Sequence, residues 1–82
     1  MTGVNFTVMD SKNKILFKPL SELNLSPEFI EMAEFNLFRT LNDILVHPVY
    51  ELHKMKYFGF RVYNELLSLV ESYGLESYLN ED

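Results

Sequence analysis

Residues 26–45, SPEFIEMAEFNLFRTLNDIL, decide the fold. Ser26 followed by Pro27 and Glu28 combines an N-cap hydroxyl, a proline whose missing N–H costs nothing in the first turn, and an acid at the positive end of a helix dipole. A helix is expected from there to about Asn36. Phe29, Ile30, Ala33 and Leu37 recur at helical spacing and are expected to face a core, with Glu28, Glu31 and Glu34 three apart on the other side. Thr40 then opens a second helix. Asp43 three residues later forms a capping pair with it, and Leu41, Ile44 and Leu45 supply the buried face.

Outward toward the C-terminus, Pro48 stops this helix and can start a third, through Lys54, with Val49, Leu52 and Met55 inward. Residues 56–59 (Lys-Tyr-Phe-Gly) read as a tight connection into a fourth helix, from about Phe60 to Tyr73, with Tyr63, Leu66, Leu67 and Val70 inward. Gly74 stands where a left-handed residue closes a helix. Toward the N-terminus, Leu20, Leu23 and Leu25 form an apolar turn. Val4–Met9 alternates apolar and polar as a short strand does, and Ile15–Phe17 reads as a second extended run, so residues 1–17 form an arm able to make a β-hairpin. The expected fold is therefore all-α: a compact bundle of four to five short helices over residues 18–76, between an extended arm at 1–17 and an acidic tail at 77–82.

Eighty-two residues suffice for one domain. With 48 % apolar and 15 % aromatic residues the chain is too hydrophobic for a disordered segment. There is no cysteine, which removes disulfides, thiolate metal sites and cysteine nucleophiles and favours a cytoplasmic home. No apolar run is long enough for a membrane span. His47 and His53 lie six apart, and no His or Glu pair has the spacing of a helical zinc site. No nucleophile is paired with an oriented base. Neither a metal, a cofactor nor catalysis is expected.

The net charge of −5 is unlike that of a general nucleic-acid binder. The charges are segregated, however. Between Lys18 and Arg39 they are all acidic (Glu22, Glu28, Glu31, Glu34), Lys54, Lys56 and Arg61 cluster around Gly59, and no basic residue follows Arg61. The basic cluster reads as solubilising charge around a turn, as a phosphate-facing patch or as a protein-facing patch. The acids read as a solvated helix face or as a contact surface for a basic partner.

The order of these parts resembles the C-terminal domain of the bacterial RNA polymerase alpha subunit, over Ile15 to Leu75. The matching elements are Lys18-Pro19-Leu20, Glu22-Leu23-Asn24-Leu25-Ser26, Asn42-Asp43-Ile44-Leu45, Glu51-Leu52-His53-Lys54, Phe58-Gly59, Glu65-Leu66 and Gly74-Leu75. The resemblance implies a helix-hairpin-helix element that contacts A/T-rich promoter DNA and is touched by sigma factor and transcription regulators. On that pattern Gly59, Arg61 and Glu65, with Lys54 and Lys56 nearby, are the nucleic-acid-binding candidates. The family's minor-groove arginine is replaced by Glu28 and its DNA-contacting asparagine by Glu31. The two basic residues and the serine after the glycine become Phe60, Arg61 and Val62. Loss of one base-reading arginine costs about 1–3 kcal/mol, and an acid in its place adds repulsion from the phosphates. Glu28, Glu31 and the displaced aromatic Phe60 are accordingly partner-binding candidates. Two functions are expected from this pattern: a free-standing, non-catalytic transcription module docking on promoter DNA, RNA polymerase or both, or an adaptor of the same fold that has given up DNA.

Overall fold

A computed structural model describes residues 14–79. Four α-helices carry the fold: α1 Pro27–Phe35, α2 Leu41–Leu45, α3 Val49–Leu52 and α4 Phe60–Ser72. Residues 14–17 are also helical, and 3₁₀ turns at Leu20–Glu22 and Glu76–Tyr78 flank the main body. The described residues are thus all-α. They hold no strand, only an isolated bridge between Pro19 and Thr40, beside which the Leu20 N–H donates to the Arg39 carbonyl at 2.9 Å.

Helices of four and five residues cannot persist alone, because nucleation fixes several dihedrals for one hydrogen bond. Here α2 and α3 survive because they bury what they carry: Leu41, Ile44 and Leu45 from α2, Val49 and Leu52 from α3. Each fully buried Leu or Ile side chain contributes roughly 1.5–3 kcal/mol. All of these residues but Val49 join Phe29, Met32 and Ala33 of α1 and Val62, Leu66, Leu69 and Val70 of α4 in a shared core. Among the described residues no polar or charged residue is buried.

Local signals set the helix ends. The Ser26 hydroxyl accepts the Phe29 N–H at 3.1 Å, with Pro27 next in the first turn. Thr40 and Asp43 form a reciprocal capping box: Thr40 Oγ1 accepts the Asp43 N–H at 3.3 Å, and Asp43 Oδ2 accepts the Thr40 N–H at 3.1 Å. Both long helices end in the same way. After α4, the Gly74 N–H reaches the Glu71 carbonyl (3.2 Å) and the Leu75 N–H the Val70 carbonyl (2.7 Å), a Schellman motif with Gly74 at φ +68°. After α1, the Leu37 N–H reaches Glu34 (3.2 Å) and the Phe38 N–H reaches Ala33 (2.8 Å), with Leu37 at φ +64°. In each case the following apolar residue, Leu75 or Phe38, turns back into the core.

This second motif corrects the expected core. Leu37 is 84 % exposed, because the left-handed residue of a Schellman motif points away from the face that the helix buries. Phe35, the last residue of α1, is 58 % exposed and meets Tyr57 edge-on at a centroid distance of 5.2 Å. Phe29, Phe38 and Phe58 are buried and Tyr63 and Met55 partly so, while Met32, Val62 and Leu69 are core residues the spacing did not single out. The third helix stops at Leu52 and continues only as turns to Lys54.

The arm also needs correction where it is described. Ile15–Phe17 is helical rather than extended, and Leu16 is only 4 % exposed, so this segment belongs to the packed body. The strand expected at Val4–Met9 lies outside the described residues. At the other end, Leu79 packs partly buried against the core, so the body runs past residue 76.

Candidate functional site

Most residues singled out by sequence lie where the chain turns from α3 through residues 53–59 into α4, or on a groove beside that turn. Tyr57 takes the left-handed conformation in that turn, at φ +67°. Gly59 does not: at φ −95°, ψ −173° it is extended and acts as the N-cap of α4. A Cβ at Gly59 would meet nothing within 4 Å. The sharp bend therefore rests on Tyr57, and Gly59 contributes an unobstructed approach to the start of α4.

Three contacts hold the hairpin. The Asn36 side-chain amide donates to the Lys56 carbonyl (2.9 Å) and to the Met32 carbonyl (2.9 Å), tying the end of α1 to the turn. Phe35 meets Tyr57 edge-to-face beside this clasp. On the other side the His53 ring lies 4.7 Å from Tyr63 and 5.6 Å from Phe58, centroid to centroid.

Of the nucleic-acid candidates, Lys54, Lys56, Gly59 and Arg61 are all exposed here. The Lys54 ammonium lies over the Tyr50 ring at 5.7 Å and the Lys56 ammonium over the Tyr57 ring at 5.6 Å. Arg61 stands in the first turn of α4. That turn has no side-chain cap, so its leading N–H groups have no acceptor within the helix.

Glu65 is differently employed. Its Oε2 accepts the Ser26 backbone N–H at 2.8 Å and its Oε1 accepts the Ser26 hydroxyl at 2.6 Å. In an ordinary capping box the acid that accepts the N-cap N–H stands at the third helical position. In α1 that position is Phe29, and Glu65 supplies the missing carboxylate from α4. Both of its oxygens are engaged in holding the two longest helices together. No sequence signal indicated this, since the partners are 39 residues apart.

The partner-binding candidates lie beside the hairpin. Glu28 and Glu31 share with Met55, Tyr57, Phe58 and Gly59 the lining of an open groove of about 350 Å³. Phe60, the first residue of α4, is 76 % exposed. The surface thus combines two carboxylates on an open groove with three exposed cations and an exposed aromatic ring on the adjoining stretch of chain. A wider depression of about 520 Å³ lies elsewhere, between Pro19–Ser21 and the α1–α2 connection, with Glu34 and Arg39 in its lining.

Among the described residues no group of three His, Cys, Asp or Glu could hold a metal ion, and no helix is long and apolar enough to cross a membrane. No family model, no curated protein and no solved structure matches this chain.

Proposed function

We propose that this chain is a non-catalytic, transcription-associated binding module of the cytoplasm. In this reading it docks a protein partner, such as RNA polymerase, sigma factor or a regulator, through the α1–hairpin end and has given up DNA. The observation that carries the reading is the position of Glu28 and Glu31 on the same groove as Gly59. A phosphate approaching the free N–H groups of α4 would meet two carboxylates beside them, and neutralisation of phosphates is the main source of affinity for DNA. The engagement of Glu65 with Ser26 removes a further polar contact that the alpha-domain pattern would offer to DNA. Phe60 supports protein docking, since aromatic side chains dominate interface hot spots. The resemblance to the alpha C-terminal domain supplies the transcriptional setting.

Binding of the labelled chain to purified RNA polymerase core and to sigma factor tests this. Saturable binding is expected, and both Phe60→Ser and the double variant Glu28→Lys/Glu31→Lys should abolish it. Absence of binding, or binding indifferent to all three residues, would refute the reading.

A second reading keeps DNA as the ligand. It is favoured by the uncapped first turn of α4, with Gly59 open and Arg61, Lys54 and Lys56 exposed around it, because such a terminus suits a phosphate. Titration with an A/T-rich duplex separates the two readings.

A further inference from the structure

We infer that the α1–hairpin end is self-complementary and pairs with a second copy of this chain about a two-fold axis. The inference rests on the reading of this end as a protein-docking surface. An isologous interface requires one patch to contain both halves of every complementary contact. This patch does. Glu28 and Glu31 form an acidic stripe along α1, and Lys54 and Arg61 flank the neighbouring hairpin, all of them exposed. Among the described residues none of these four side chains pairs with another within 4.0 Å, and the Lys54 ammonium lies over the Tyr50 ring. Among the described residues the one acid–base contact within 4.0 Å is between His47 and Glu51, away from this groove. A two-fold axis through the groove would set the acids of one copy against the cations of the other, twice.

The apolar parts follow the same logic. The groove offers Met55, Tyr57 and Phe58 in its lining, and Phe60, next along the chain from the groove, stands in solvent. In the paired arrangement each Phe60 enters the groove of the opposite copy, removing two exposed rings from water in a setting where a buried aromatic anchor contributes most. An unrelated partner would need an acidic and a basic stripe flanking an aromatic residue in matching order, which a second copy supplies by symmetry. Self-pairing and docking of another protein would then compete for one surface, so the free module would be held in reserve until a tighter partner displaces its twin.

Sedimentation equilibrium from about 10 µM to about 1 mM covers the range in which a weak dimer of this kind dissociates. The wild-type chain should shift from monomer to dimer over that range, and Phe60→Ser should raise the dissociation constant by at least about tenfold. The charge pattern is tested by exchange. Glu28→Lys/Glu31→Lys alone and Lys54→Glu/Arg61→Glu alone should each remain monomeric, whereas their equimolar mixture should associate. Glu22→Lys/Glu34→Lys alters net charge as much as the first pair at exposed positions outside the groove, and should associate like wild type. A wild-type chain monomeric throughout, or a mixture no more associated than its components, overturns the inference. If RNA polymerase or sigma factor is still bound in that case, the docking reading survives alone; if neither forms, both fall. Far-ultraviolet circular dichroism of each variant confirms that the exposed substitutions leave the fold intact.

Discussion

Removal of the Glu65 carboxylate should loosen the helical body itself, and the size of the effect follows from its two bonds. In Glu65→Ala the Ser26 N–H and hydroxyl both lose a charged acceptor, at 2.8 and 2.6 Å. Hydrogen bonds to charged groups contribute roughly 1.5–3 kcal/mol each when protected, and an acid near a helix N-terminus adds about 0.3–1 kcal/mol. The site is only partly buried, so water recovers much of this, and a net loss of about 2 kcal/mol is expected. In a domain of this size that lowers Tm by roughly 8–16 °C. Ser26→Ala should cost about 1–2 kcal/mol, because it removes the α1 N-cap as well as the hydroxyl bond. In that variant the backbone N–H can still donate to Glu65, so the double variant should lose about 1 kcal/mol less than the sum of the two. Urea unfolding of the four proteins, followed by circular dichroism, measures the cycle. A coupling below about 0.3 kcal/mol, or a Glu65→Ala protein as stable as wild type, would refute the latch.

The backbone makes three further predictions, readable in the same assay. Leu37→Gly should stabilise the protein by roughly 0.5–1 kcal/mol, since a side chain at φ +64° costs about 1–2 kcal/mol, its replacement sacrifices little burial, and part of the gain is offset by the freer unfolded chain. Gly74→Ala should do the opposite and cost about 1 kcal/mol at φ +68°. Gly59→Ala should change stability by less than about 0.5 kcal/mol, because its φ suits any residue and its Cβ would meet open space. Equal penalties at Gly59 and Gly74 would contradict the backbone geometry described here.

What the sequence disclosed depended on how local each determinant is. Ser26-Pro27, Thr40 with Asp43, and Gly74 act within three or four residues, and the helix ends fall where those residues place them. Leu37 departs from its spacing because α1 closes on a left-handed leucine instead of a glycine, so the apolar pattern runs past the true end of the helix without punctuation. Ile15–Phe17 offered too short a window for periodicity to distinguish strand from helix; the burial of Leu16, a tertiary contact, decides it. At the candidate surface, Lys54, Lys56, Arg61 and Phe60 could be identified as neighbours along the chain. That Glu28 and Glu31 share their groove, and that Glu65 is tied to Ser26, depends on the crossing of α1 and α4, which no short-range signal encodes.

The most direct test of a surface that has exchanged DNA for protein is titration of an A/T-rich duplex into ¹⁵N-labelled chain at low salt, where phosphate contacts are strongest. Residues 54–65 are predicted to keep their amide resonances unmoved at every duplex concentration. Shifts confined to that segment, fading as salt is raised, would contradict the account and restore the start of α4 as a phosphate-binding site.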